Sequence, residues 1–161
     1  MDLMIQLELA AFLVLSAILS MAIGMDRQAN EQPAGLRTHM LVGIGSCLFT
    51  MLSIYAFPNT ETGRVAAQVV SGIGFLGAGT ILQRKGNIHH LTTAASIWAT
   101  AAVGMAVGVG AWFLAIIATI IIWFVLSILR RFKERVYKTT NGNGTSGQKL
   151  ALPSNGEEEA Y

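Results

Sequence analysis

The feature that most constrains this chain is a gap: between Glu61 and Glu134 there is no carboxylate at all. A soluble domain needs polar surface on every side, and such a run supplies little of it. In a bilayer the same run is favourable, because a charge at the centre of a spanning helix costs roughly 2.5 to 3.5 kcal/mol on insertion scales. Composition agrees, with 53% hydrophobic and 12% charged residues against roughly 25% charged in soluble domains, and a mean hydropathy of +0.54. This excludes a disordered or acidic solvating chain. A net charge of +2 over 161 residues provides no electrostatic footprint for nucleic acid. The length suits one domain, and the one cysteine, Cys47, allows no intramolecular disulfide.

A helix needs about 20 mostly apolar residues to cross a hydrocarbon core of roughly 30 Å. Five stretches qualify, running from about Leu7 to Met25, Met40 to Phe57, Val65 to Leu82, Thr93 to Val109 and Ala111 to Leu129. The breaks between them have local causes: Gln32 to Gly35, then Pro58 and Asn59, then Lys85 to Asn87, then Gly108 and Gly110. The last is so short that spans four and five form a tight hairpin. The expected fold is therefore an all-α polytopic membrane protein with five transmembrane helices.

Five spans place the two chain ends on opposite sides, and basic residues choose between them. With the carboxyl end inside, the cytoplasmic set holds Arg27, Arg37, Arg84, Lys85 and every base from Arg130 onward, ten in all, leaving Arg64 alone outside. The positive-inside rule then puts the amino terminus outside and the carboxyl terminus in the cytoplasm. A cleaved signal peptide does not explain the first span, because Met1 to Gln6 contains Asp2 and no base. Residues 1–130 form the expected membrane domain. Residues 131–161 form a basic juxtamembrane segment, suited to anionic headgroups, and a tail rich in Asn, Gly, Thr and Ser that is expected to be disordered.

Gly72, Ile73, Gly74, Phe75, Leu76 and Gly77 have the spacing of a dinucleotide-binding fingerprint. That motif requires a preceding strand and an acid about 20 residues later for the ribose, and here the next acid is Glu134. With Gly79, these glycines read instead as places where helix backbones approach closely in lipid. Small residues also form stripes: Ser96, Thr100, Gly104 and Gly108 in span four, and Ala67, Ser71, Gly74 and Ala78 in span three. Spacings of three and four place each stripe on one helix face. Spans three and four are thus expected to be central, and span five, with Ile116, Ile117, Ile120, Ile121 and Ile122 between Trp112 and Trp123, to be more exposed to lipid.

Polar chemistry gathers at the cytoplasmic helix ends. Asp26 and Arg27 end span one, Arg37, Thr38 and His39 precede span two, Gln83 and Arg84 end span three, and His89, His90, Thr92 and Thr93 lead into span four. Simple interfacial anchoring and capping is one account of them. The sharper one pairs Asp26 with Arg37 or Arg27 through the bidentate arginine fork and presents Thr38, His39, Thr92 and Thr93 as a recognition surface.

Three imidazoles could make an open metal site, but adjacent His89 and His90 point differently on any regular element. A serine hydrolase is excluded by the absence of a G-x-S-x-G elbow and the scarcity of carboxylates. No metal, cofactor or catalytic activity is therefore expected. Transport would need an ion pathway, and magnesium favours carboxylate ligands. Spans two to five contain none, while Glu8 and Asp26 lie at opposite ends of span one. Hydroxyls such as Ser46, Ser71 and Thr100 could line a pore, yet such groups more often bond to their own helix.

Three blocks, Pro33 to His39, Gly72 to Ile81 and Leu91 to Trp98, resemble in order the signature blocks of the MgtC/SapB family of bacterial inner-membrane proteins, over roughly residues 8–130. Asp26 followed by Arg27 also fits the family pattern at the end of the first span. His90 departs from it, standing where the family usually has Gly before Leu-Thr-Thr, and the chain has a low-complexity tail in place of the cytoplasmic domain of longer members. The resemblance implies a five-helix inner-membrane domain linked to growth under magnesium limitation. It also implies a regulator of the F-type ATP synthase, or, by an older label, a magnesium transporter. The expected partners are the lipid bilayer, a membrane protein such as that synthase, and a second copy of the chain. A non-catalytic regulator acting through helix contacts is the leading expectation, and a transporter or channel the alternative.

Overall fold

In the computed structural model, which describes residues 2–56, 63–84 and 87–141, the chain folds into five helices. These are α1 (Leu3–Ala29), α2 (Leu36–Tyr55), α3 (Gly63–Thr80), α4 (Leu91–Gly108) and α5 (Trp112–Asn141). Between α3 and α4 a short antiparallel ribbon, β1 (Leu82–Arg84) and β2 (Asn87–His89), pairs Leu82 with His89 and Gln83 with Ile88. The sequence suggests a plain loop here. The ribbon arises because Ile88 and its neighbours satisfy backbone groups against Leu82 to Arg84. Pro58, Asn59, Lys85 and Gly86 lie outside the described residues, as does the tail from residue 142. The basic run that follows Leu129 continues the α5 backbone as far as Asn141.

Helix ends have identifiable causes. At the end of α1 the amide of Gln32 bonds to the Arg27 carbonyl at 3.0 Å and that of Glu31 to the Gln28 carbonyl at 3.1 Å. This is a Schellman turn, with Glu31 at φ 53° in the left-handed position that usually takes glycine. The end of α4 repeats it with Gly110 at φ 82°: Ala111 bonds back to Ala106 and Gly110 to Val107, each at 2.9 Å. That turn reverses the chain into α5 within three residues, as expected for the tight hairpin. The entry to α4 is different, because His90 sits at φ 68°.

Helices α1, α2 and α4 pack against one another, and α5 lies across α1 and α4. One apolar cluster joins Leu19, Ile23, Cys47, Met51, Val103, Val107, Ala115 and Leu126. A second joins Val42, Val69, Ile73, Ile97 and Ala101 and attaches α3 to α2 and α4. Lipid tails are as apolar as these side chains, so close fit must supply much of the association. Glycine supplies that fit. A Cβ on Gly104 would overlap the carbonyl oxygen of Gly43 and lie 3.0 Å from its carbonyl carbon, and one on Gly108 would lie 2.7 Å from the Cys47 carbonyl oxygen. On the other side of Gly43 sits Ser20 of α1, whose hydroxyl occupies the place of a Cβ. Gly43 is thus the point where α1, α2 and α4 meet.

The α4 stripe of Ser96, Thr100, Gly104 and Gly108 is buried as expected. The α3 stripe is not: Ala67, Ser71, Gly74 and Ala78 are all exposed, as are Gly72 and Gly79. A Cβ on Gly72, Gly74 or Gly79 would meet nothing within 4 Å, whereas Gly77 faces Ala94 of α4. Spans three and four are therefore not alike. Helix α4 is central, while α3 is peripheral, attached by Val69, Ile73 and Gly77 and with Phe75 85% exposed. Periodicity identifies a face but not what it meets, and the larger Val69 and Ile73 outcompeted the small residues for the core. On α5, Phe113, Leu114, Ile117, Ile120, Ile121 and Phe124 are exposed, in line with a lipid-facing helix.

Among the described residues, α1, α2 and α4 are long and apolar enough to cross a membrane. The α5 segment Trp112–Ile128 is apolar but shorter, and α3 carries Arg64 and Gln68 in its first two turns.

Candidate functional site

The polar residues at one end of the bundle separate into a buried group and an exposed one. Arg27 ends α1, where a cation is favoured by the negative end of the helix, yet its side chain is turned inward and only 3% exposed. Its Nη2 donates to Gln32 Oε1 at 2.9 Å and to Thr93 Oγ1 at 3.0 Å. One guanidinium group thereby ties the end of α1 to the α1–α2 loop and to the first turn of α4. His39, fully buried, lies one turn into α2. Its Nδ1 donates to the Gly35 carbonyl at 2.9 Å, and its Nε2 lies 3.1 Å from Ser96 Oγ of α4. The Ser96 hydroxyl also lies 2.8 Å from the Thr93 carbonyl, so its single proton is shared between that carbonyl and the imidazole. Arg27, Thr93, Ser96 and His39 therefore form one connected path through three helices, all of it shielded from solvent.

Asp26 points elsewhere. Its Oδ1 accepts from the Ser127 hydroxyl of α5 at 2.7 Å, and its backbone carbonyl accepts from the Asn30 side chain. Its Oδ2 is buried and meets no hydrogen-bond donor among the described residues. Arg37 is exposed, so the proposed Asp26–Arg37 pair does not hold the first two helices together. Ser127 takes that position, and the helix joined to α1 is α5. The reason is rotational: Asp26 and Arg27 are adjacent, so one cannot face α2 and α4 without turning the other toward α5.

The expected recognition surface divides in the same way. Thr38 and Thr92 are exposed, His39 and Thr93 are fully buried, and His90 is partly exposed at the entry to α4. Arg84 lies in β1. His89 and His90 have ring centroids 6.2 Å apart, while His39 lies inside the bundle. Among the described residues no three His, Cys, Asp or Glu side chains gather as a metal site would require.

Several contributors were not singled out from sequence. Gln32 and Ser127 are polar residues in polar or helix-end settings, and nothing local marks them. Ser16, Ser20 and Gly24 were detectable, since they recur every four residues along α1. A Cβ on Gly24 would lie 2.8 Å from Leu36 Cα, which is why α2 can begin so close to the end of α1. Ser46, Thr50 and Ser53 of α2 are buried too. Thr50 and Thr100 each return their hydroxyl to the carbonyl four residues earlier, at 2.8 Å, so these hydroxyls satisfy their own helices.

Comparison with known proteins places the chain in a family. The model of the MgtC family matches residues 13–135. The chain is 45% identical over 139 residues to the putative magnesium transporter YhiD of Escherichia coli K12, covering 81% of this chain and 63% of that protein. It is 39% identical over 155 residues to the protein MgtC of Salmonella typhimurium LT2, covering 96% of this chain and 65% of that one. The chain thus spans less than two thirds of the length of either relative. No solved structure gives a significant match. On the family match and these identities, the chain belongs to the MgtC family.

Proposed function

We propose that the protein is a non-catalytic regulator of the bacterial inner membrane, acting through helix-to-helix contacts and linked to magnesium homeostasis. Family membership and the magnesium-related name of the YhiD relative support the magnesium link. The observation that carries the choice of regulator is the backbone contact of Gly104 with Gly43, together with Ser20 on the far side of Gly43. Three helices meet there with no room for a side chain, and a hydrated magnesium ion, which gives up water reluctantly, needs far more. No carboxylate lines this junction. In the same reading the chain crosses the membrane five times with its amino terminus outside, and its partner is a membrane protein, with the F-type ATP synthase first in view from the family resemblance.

The second reading is magnesium transport, favoured by the name of the YhiD relative. Proteoliposomes containing the purified chain and a magnesium-sensitive dye separate the two. A regulator gives uptake equal to empty vesicles, and saturable uptake abolished by Gly104→Leu would replace the regulator reading with a transporter. Co-purification with the ATP synthase from cells starved of magnesium tests the partner, and its absence would remove that assignment.

A further inference from the structure

Between α2 and α3 the bundle leaves a groove of about 740 Å³, and we propose that it holds an acyl chain of an anionic phospholipid whose phosphate is bound by Arg64. The inference needs only that the bundle sits in a bilayer, and it holds for a regulator or a transporter alike. The groove has a local cause. Gly45 on α2 and Gly72 on α3 both line it, and a Cβ on either would meet nothing within 4 Å. Two missing side chains on opposed walls leave a trough, flanked by Leu41, Phe49 and Leu76. In a bilayer that trough opens on hydrocarbon, and walls facing a void would forfeit their dispersion contacts.

Size selects the occupant. A methylene is close to a water molecule in size, about 30 Å³, so a chain of 16 to 18 carbons displaces about 500 Å³ and fits. Charge selects it further. Apart from Ser46 on α2, the lining is apolar except near the start of α3, where Arg64 and Gln68 stand one turn apart, and it contains no carboxylate among the described residues. A cationic end on an otherwise apolar trough complements a phosphate joined to an acyl chain, and the exposed guanidinium can grip phosphate oxygens bidentately.

Native mass spectrometry of the full detergent-purified chain, titrated with phosphatidylglycerol and with phosphatidylcholine of the same chains, tests this. The unaltered chain should retain phosphatidylglycerol more strongly. Arg64→Gln should weaken that retention by about tenfold, the usual scale for one charge-assisted contact, and should weaken retention of phosphatidylcholine less, because its phosphate is partly neutralised by the attached choline cation. Gly72→Leu should reduce retention of both lipids by filling the trough, with lipid-free melting not lowered, and Gly45→Leu does the same from the opposite wall. Retention indifferent to all three substitutions would overturn the proposal. So would a dimer peak abolished by Gly72→Leu while lipid adducts persist, because the groove would then seat a second copy of the chain.

Discussion

Alanine at Gly104 and alanine at Gly74 are the same chemical change on two helices with opposite expected outcomes. In a helix interior, glycine to alanine is intrinsically favourable by about 0.8 to 1 kcal/mol. At Gly74 the new methyl meets nothing within 4 Å, so that gain should appear almost undiminished. At Gly104 the methyl would overlap the Gly43 carbonyl oxygen and lie 3.0 and 3.1 Å from its carbonyl carbon and Cα. Both partners are backbone, so no rotamer can yield, and α4 must move from α2 by roughly 1 Å to restore normal contact. A gap of 0.5 to 1 Å forfeits about a quarter to a half of each dispersion well along the seam. Core overpacking of this kind costs about 1 to 3 kcal/mol, which exceeds the propensity gain. Gly104→Ala should therefore destabilise by up to about 2 kcal/mol, while Gly74→Ala stabilises by up to about 1 kcal/mol. Unfolding in mixed micelles of increasing dodecyl sulfate content, followed by circular dichroism, measures both. Equal stability of the two variants would show that the Gly43–Gly104 contact does not hold the bundle together.

The other expectations concern the polar layer and the topology. Thr93→Val removes an acceptor from buried Arg27 and should cost about 1.5 to 3 kcal/mol; combined with Arg27→Met it should cost less than the sum, and simple additivity in the same unfolding assay would mean that the two side chains do not interact. His90→Gly relieves a left-handed backbone that costs roughly 1 to 2 kcal/mol, less the added freedom of glycine when unfolded, so a rise in stability of about 0.5 to 1 kcal/mol is expected, and a fall would mean that the imidazole contributes more than the strain removes. Reporters fused after Lys138 and within residues 58–63 should lie on opposite sides of the membrane, the first cytoplasmic; a cytoplasmic signal from both would overturn the five-span topology.

Element identity could be read from sequence because apolar runs of bilayer length have few other solutions. The turn at Gly110 and the burial of the α4 stripe were readable for the same reason, since both follow from residue size. What could not be read was rotation. Nothing in Ala67, Ser71, Gly74 and Ala78 distinguishes a stripe that packs inward from one left outside, because in lipid both environments are apolar. The same ambiguity governed Asp26. Its charge drew attention to Arg37, but the choice of partner depends on which way α1 faces, and that is decided further along the helix by Ser16, Ser20 and Gly24 fitting against α2. His90 is the converse case. The residue departs from a glycine pattern, and its φ of 68° gives the physical meaning of the position, which sequence alone could mark but not explain.

The polar layer and the glycine seam also solve one problem jointly. A helix packed by small residues at four-residue spacing is nearly degenerate with itself displaced by one turn, about 5.4 Å. Such a slip would bring Thr100 or Gly108 opposite Gly43 in place of Gly104, and with Gly108 the contact at Gly43 would again be glycine on glycine. Dispersion alone therefore discriminates weakly between registers. The hydrogen bonds of Arg27 with Thr93 and of His39 with Ser96 do not tolerate that displacement, because neither reaches across a further 5 Å. All four residues are buried, so a polar group left unmatched there carries its full desolvation penalty. The layer thus sets the register in which Gly104 meets Gly43, and the seam supplies the close packing. On this account the buried half of the polar layer is structural, and in the regulator proposed above recognition would fall to what the bundle leaves outside: Arg37, Thr38 and Thr92 at the same end, and the small-residue face of α3.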